Sequence, residues 1–434
     1  MKLKCVIYAP VDTYSGYGSR SRDLVKALIE SKPDWDVRIL PCNWGNTSQG
    51  FIEDFKTEWG FLSNKLLPQL QYQPDIWIMV TVPNEFQKIG KYNIGITAGI
   101  ETTICDPTWI EGCNRMDLVL VSSNHAKKTF IETSFEKQDQ NKQKIGEVKI
   151  EKPIDVLFEG VNLEKYKSET IEGSLTKELN NINEKFCYLF VGSWLQGILG
   201  EDRKNVGLLA KSFYETFKNK KDKPALILKT QGSNCSYTDK ELILKKLDQI
   251  KDTINSKDLP NIYLLHGEFS DEEMNELYNH TKVKAMVSLT KGEGFGRPLL
   301  EFSLTKKPII CSGWSGVLDF LNQEFTLLIP GTLTNVHSSS VVDKMLLAES
   351  KWFSPSYVHI GAALKEVYEK YNTHLEKAKR QAFYAKSNFS FDKMKEKLGN
   401  LLDTYLPEFP KPIILKLPQL DKIKIPKREI KHEA

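Results

Sequence analysis

Short apolar runs recur along the whole chain, at residues 5–9, 37–40, 75–80, 93–97, 118–121, 156–158, 188–191, 225–228, 261–265, 285–289, 308–311 and 326–329. Each is brief, does not alternate with polar residues, and mostly ends at Gly, Pro, Ser or Asn. Continuous apolar runs of this length suit strands buried on both faces, as in parallel sheets. The intervening segments carry helical spacing. Residues 20–29 place Leu24, Ala27 and Leu28 on one face, and residues 205–217 do the same with Leu208, Leu209, Phe213 and Phe217. Strand–helix alternation of this kind predicts βαβ units around parallel sheets.

Twelve strands exceed one ordinary sheet. The stretch 164–185 is polar and precedes a fresh strand ending at Gly192-Ser193, so the pattern predicts two doubly wound domains joined there. The expected units are 1–168, 169–386, a C-terminal helical segment 387–410 and a tail 411–434. The polar insert 136–147 reads as an extended loop. Residues 357–405 read as three helices broken near 371–373 and 388–390. The last helix, with Phe391, Met394, Leu398, Leu401 and Leu402 on one face, is expected to cross back onto the first domain. The tail contains Pro412, Pro418 and Pro426, which exclude a long helix.

At 434 residues with 40% hydrophobic and 27% charged positions, the chain is long and apolar enough for a folded core. No run approaches the roughly 20 apolar residues that a membrane-spanning helix needs. Seven cysteines without a CxxC spacing argue for reduced thiols, a cytoplasmic location and no zinc site. The histidines lack ligand spacing, so no metal is expected. Asp34-Trp35-Asp36, which imitates a DxD metal motif, precedes a strand and reads as a turn. Net charge is +4. Residues 411–434 hold seven basic against three acidic side chains, which accounts for that whole excess. A general polyanion-binding surface is therefore not indicated, although the tail could contact a polyanion.

Four segments carry candidate chemistry. The first is Lys291-Gly-Glu-Gly-Phe-Gly-Arg-Pro-Leu-Leu-Glu301, between a strand and a helix whose first turn holds Pro298. Gly292, Gly294 and Gly296 allow close backbone approach to a ligand, and the loop amides with the helix N-terminus suit an anion. Glu293 and Glu301 suit ligand hydroxyls, so the pair fits a nucleotide sugar. The plainer reading is a glycine-rich turn with an acidic residue near a helix start. The second is Gly192-Ser193-Trp194, then Arg203-Lys204 before a helix that Asn205 could cap. Two cations there complement a diphosphate. A solvated surface pair is the alternative. The third is the loop with Gly16 and Gly18 after the first strand. It lacks the third glycine of a dinucleotide fingerprint, so a nicotinamide enzyme is disfavoured. The fourth comprises residues 98–109 and 122–125, with Glu101, Ser122, Ser123, Asn124 and His125. Ser122, Ser123 and Asn124 are expected to line a cleft, and His125 reads equally well as an ordinary helix-start residue. His266-Gly267 could border a base or be a plain turn.

Residues 283–321 resemble the signature of the large family of retaining glycosyltransferases of the GT-B fold, family 4, the glycosyl transferases group 1. The resemblance lies in the run 288–301, then Lys307-Pro-Ile-Ile310 and Trp314-Ser-Gly316, and covers about residues 1–405 more loosely. It implies two Rossmann-like domains facing a cleft, with the acceptor on the first and the donor on the second. It further implies that Glu293 contacts the donor sugar, Glu301 the ribose, and the amides of Gly294, Phe295 and Gly296 the sugar and diphosphate. Arg203 and Lys204 would hold the diphosphate. Ser193 stands where many members have Arg, and Arg203 could replace that charge. Gly99 or Ile100 stands where many relatives have a histidine, and Glu101 would then be the polar group nearest the reaction centre. Gly16, Gly18 and Ser123 would line the substrates. Glu293 and Lys204 are expected at exposed cleft positions.

The expected activity is transfer of a sugar from a nucleotide diphosphate sugar, such as a UDP-sugar, to an acceptor hydroxyl with retention and without a metal. No cofactor is implied beyond the donor, and a homodimer is possible. The acceptor would be a glycan or small molecule. Residues 352–355 and the Lys/Pro tail also resemble phage-encoded members, which raises glycosylation of a hydroxylated DNA base as an alternative. A sugar-nucleotide epimerase and a non-catalytic binding protein are the other readings.

Overall fold

The computed structural model describes residues 2–141, 143–232 and 235–409. The tail 411–434, and with it the proposed polyanion contact, lies outside the described residues. The first half forms strands β1 (Lys4–Ala9), β2 (Asp36–Pro41), β3 (Ile76–Val80), β4 (Tyr92–Thr97) and β5 (Leu118–Val121). A hairpin of β6 (Phe135–Gln138) and β7 (Lys144–Val148) follows, then β8 (Ile154–Val156). The second half forms β9 (Cys187–Val191), β10 (Ala225–Lys229), β11 (Ile262–Leu265), β12 (Val283–Ser288), β13 (Ile309–Ser312) and β14 (Leu327–Ile329). An antiparallel ribbon of β15 (Gly331–Asn335) and β16 (Lys351–Pro355) precedes three C-terminal helices.

Two six-stranded parallel sheets result, in the orders β2-β1-β3-β4-β5-β8 and β11-β10-β9-β12-β13-β14. All twelve apolar runs lie in these sheets or overlap their strands. The central strands explain why. Residues 76–80 of β3 and 118–121 of β5 are buried throughout, because helices cover both faces of the sheet. The segment 136–147 departs from the extended loop expected of it. It forms the β6–β7 ribbon, whose exposed polar residues pair backbone to backbone and need no apolar face.

The polar stretch after residue 164 is not a free linker. Glu276, 2% exposed on the helix Asp271–Asn279, accepts from Gly173 N (3.0 Å), Leu175 N (3.2 Å) and Thr176 Oγ1 (2.6 Å). Lys165 pairs with Glu58 at 2.5 Å and Asp271 at 2.8 Å, so this segment ties both halves together. Most of its residues are exposed, which accounts for its polarity, while Lys165 and Glu276 anchor it.

The C-terminal helices are Tyr357–Glu369, Tyr371–Asn388 and Phe391–Tyr405. The last packs on the first helix, Gly16–Ser31. Met394, Leu398, Leu401 and Leu402 are buried in an apolar cluster that also contains Leu24, Leu28, Leu157 and residues of the second sheet. Phe391 is only half-buried, with the Lys26 ammonium 5.2 Å from its ring centre.

Candidate active site

The strand order reverses between β9 and β12 in the second sheet. Ligands of open α/β sheets bind in the crevice beyond the strand ends at such a switch point. The two loops carrying the strongest sequence signals leave the sheet there. The loop after β9 brings Arg203 and Lys204, and the loop after β12 brings Glu293. Lys204 Nζ lies 2.5 Å from Glu293 Oε1, and Arg203 Nη1 lies 3.2 Å from Oε2. Arg203 Nη1 also donates to the Gly292 carbonyl at 2.7 Å. Glu101, from the first domain, stands 3.7 Å from Arg203 Nη2. Two cations and two carboxylates from both domains therefore meet in one group.

The protonation states follow from this packing. Burial alone would raise the Glu293 pKa, but Lys204 and Arg203 overcome it and hold the carboxylate at about 2. Burial disfavours charge on Arg203, yet Glu101 and Glu293 keep its pKa above the ordinary value. Glu293 is only 7% exposed, which corrects its expected placement at an exposed cleft position. It is buried because two cations satisfy it and because its main chain is gripped by a turn from β13. Lys204 keeps 20% side-chain exposure.

Two of the loop glycines serve a purpose the motif alone does not suggest. A Cβ at Gly292 would strike the Glu101 carbonyl, and one at Gly294 would lie 2.5 Å from the Ala98 carbonyl. These glycines admit the backbone of the first domain, not only that of a ligand. Gly296 stands at the N-cap of the helix Arg297–Ser303 with φ 103°, and Phe295 is buried against Phe320.

Glu301 stands apart from Glu293, 6% exposed, bound by Arg297 Nε at 2.8 Å and Tyr278 Oη at 3.2 Å. Arg297 continues to Asp23 of the first domain at 2.5 Å. Burial raises the Glu301 pKa to about 7 despite Arg297. Ser193 is half-buried beside Gly192 at the end of β9.

In the first domain, the exposed Gly16 opens the first helix, while Gly18 is buried against Thr13. Ser123 is corrected as a cleft-lining residue. It is fully buried, and its hydroxyl caps the helix Asn124–Glu132 by accepting from Ala126 N. Its neighbour Asn124 instead reaches the second domain, with N and Nδ2 donating to Asp319 Oδ2 at 2.8 and 3.1 Å. His125 packs its ring edge on Trp314 at 4.6 Å, and burial lowers its pKa to about 4, leaving it neutral at pH 7. Asn205 sits at the N-cap of the helix Val206–Phe217, but its side chain does not cap it. The Val206 amide approaches Asp202 Oδ2 at 3.4 Å. His266 pairs with Asp239 at 2.8 Å.

Sequence reasoning missed the contacts that close this side of the cleft. Thr103 N donates to the Lys351 carbonyl at 3.0 Å, and Lys351 N donates to Thr103 Oγ1 at 3.0 Å. Lys291, 6% exposed, donates from Nζ to the Gly200 carbonyl and lies 3.9 Å from the Trp352 ring centre. Burial lowers its pKa to about 8. No local pattern marks these contacts, because the partners lie tens to hundreds of positions apart. Among the described residues no group of three or more His, Cys, Asp or Glu side chains is placed to hold a metal ion, and no helix is long and apolar enough to cross a membrane.

Residues 183–354 match the model of the glycosyl transferases group 1, a span containing Arg203, Lys204, Glu293 and Glu301. The second domain is a glycosyl transferases group 1 domain. The described residues have the GT-B architecture. The chain is similar to a glycosyltransferase from Rickettsia africae at 12% identity, over 93% of this chain and 98% of the other, with a TM-score of 0.60. It is also similar to HepE of Anabaena solved with UDP-glucose, at 13% identity over 93% and 100% of the chains, with a TM-score of 0.58. The sucrose-phosphate synthase of Thermosynechococcus elongatus follows at 11% identity, 93% and 99% coverage and a TM-score of 0.59. No curated protein matches the chain.

Proposed function

We propose that the protein transfers a sugar from a uridine diphosphate sugar to an acceptor hydroxyl, with retention of configuration. The observation that carries the reading is the Lys204–Glu293–Arg203 group at the switch point of the second sheet, within a glycosyl transferases group 1 domain. The uridine donor is supported by the UDP-glucose complex of the similar Anabaena protein.

In this reading Glu293 holds sugar hydroxyls through its carboxylate, which stays ionised at all working pH values. Arg203 and Lys204 turn from Glu293 toward the diphosphate as the donor enters. Breaking the glycosidic bond places negative charge on the departing diphosphate. The two cations, once turned to the diphosphate, and the loop amides at Gly294–Gly296 stabilise that charge as it grows. Glu301 serves the ribose hydroxyls, exchanging part of its bond to Arg297. Glu101 approaches from the acceptor side and orients Arg203. The acceptor, a glycan or small glycoside, enters beside the loops at Gly16–Gly18 and at residues 99–103.

The test is a thermal-shift series with UDP, UDP-glucose and other nucleotide sugars, followed by mass measurement of candidate acceptors. UDP sugars should raise the melting temperature of the parent and not of Lys204→Ala. Release of UDP should require an acceptor. Equal stabilisation of the Lys204 variant would remove the diphosphate assignment. Loss of UDP and interconversion of sugars without any acceptor would point to an epimerase.

A further inference from the structure

Ser315 follows Trp314 in the turn after β13 and precedes Gly316. Its backbone has φ 74° and ψ −157°. Asn205, by contrast, has φ 60° and ψ 34°, in the ordinary left-handed well. The Ser315 combination belongs to a region that essentially only glycine occupies without strain. Strain of this sort persists where the surroundings enforce it and often where function uses it.

The surroundings are the main chain of Glu293. The Glu293 amide donates to Ser315 Oγ at 2.9 Å, and the next amide, Gly316 N, donates to the Glu293 carbonyl at 3.0 Å. One residue of the donor loop is thus held at both its N–H and its C=O by two consecutive residues of the turn. The fit is tight, since a Cβ at Gly316 would strike the Gly294 carbonyl. Ser315 is 4% exposed and Glu293 7%. A glycine at 315 would take this backbone without strain but would leave the buried Glu293 amide without its acceptor.

We infer that Ser315 is a positioning residue for the donor-sugar carboxylate, retained in a glycine-only conformation because its hydroxyl fixes the main chain of Glu293. This rests on the reading of Glu293 as a donor ligand. A carboxylate displaced by a fraction of an ångström still binds but is no longer aligned with the reacting sugar.

Ser315→Gly and Ser315→Ala separate the two contributions, because both lose the hydroxyl and only glycine loses the strain. The glycine variant should melt about 2–4 °C above the alanine variant. Amide hydrogen exchange in a peptide spanning residues 290–297 should quicken in both. Turnover with UDP-glucose should fall about tenfold in both, mainly in kcat. An alanine variant as stable as the glycine variant overturns the strain. Unchanged exchange at 290–297, or parental kcat in Ser315→Gly, overturns the positioning role. If Ser315→Ala does not fold, the exchange and kcat of Ser315→Gly decide alone. Glu293→Gln serves as the reference. Loss of turnover there with parental rates in both Ser315 variants rejects this inference and leaves the donor site standing. No UDP-glucose-dependent stabilisation or turnover of the parent rejects the donor reading, and the melting and exchange measurements still judge Ser315.

Discussion

The two domains share an architecture but present chemistry differently. In the second, the order β11-β10-β9-β12-β13-β14 places the reversal between β9 and β12, and both loops leaving that point carry charge. Glu293, Arg203 and Lys204 satisfy one another within 2.5–3.2 Å. In the first, the reversal falls between β1 and β3, yet the residue nearest the charged group, Glu101, comes from the loop after β4. Its contact is longer, at 3.7 Å, and it is about one-third exposed. Other residues of this rim, Thr103 and Asn124, reach the second domain through two hydrogen bonds each, to Lys351 and to Asp319. The second domain assembles its charged group from its own loops, whereas the first contributes contacts that exist only when the domains meet.

Breaking the second-domain group should have the largest effect. Glu293→Gln leaves two cations facing an amide. Removing one partner of a largely buried pair costs about 3 kcal/mol. We expect urea unfolding to report this loss, and UDP-sugar turnover to drop by about 10²–10³-fold. A variant with parental stability and rate would show that the group is not the centre of the site.

The equivalent change in the first domain should be milder. Glu101→Gln removes a half-exposed contact, worth below about 1 kcal/mol in stability. Activity should fall roughly tenfold, as expected for an orienting charge near the reaction. A loss as great as that of Glu293→Gln would make the first domain an equal partner in the chemistry.

The two carboxylates of the second domain should respond to pH with opposite sign. Glu293 is held at about 2 against a usual 4.5, so the folded state binds its proton more weakly than the unfolded state. Its contribution is present above pH 4.5 and is lost as pH falls toward 2. Glu301 is raised to about 7, so the folded state binds its proton more tightly. Its contribution is present below pH 4.5 and is lost as pH rises toward 7. Chemical denaturation at pH 5 and 7 should show a smaller decline for Glu301→Gln than for the parent. An identical decline would place the Glu301 pKa near its usual value.

The smallest effect concerns the seam. Asn124→Ala removes the side-chain bond to Asp319 and keeps the backbone one. A cost of about 1 kcal/mol is expected, visible as a slightly lower unfolding midpoint. A much larger loss would mean that this rim contact, and not the C-terminal helix, holds the domains together.

Sequence alone determined the two parallel sheets, because strands buried on both faces must be apolar, as β3, β5 and β9 are throughout and β10 is up to Lys229. It also singled out Glu293, Arg203 and Lys204, each in a loop before a helix, and the fold brings the three into one charged group. The three C-terminal helices were legible from periodicity, with their breaks near Lys370 and Phe389. The β6–β7 ribbon was not, because exposed polar strands are stabilised by backbone pairing that leaves no apolar pattern. Only the tertiary structure decided that Glu293 is buried and that Ser123 is spent on a helix cap. The same holds for the approach of Ala98 and Glu101 to Gly294 and Gly292, and for the grip of Ser315 on the Glu293 main chain. The physical reason is common to all of these. Burial, cation pairing and backbone strain depend on partners far away in sequence, and a local pattern records only the neighbours a residue has along the chain.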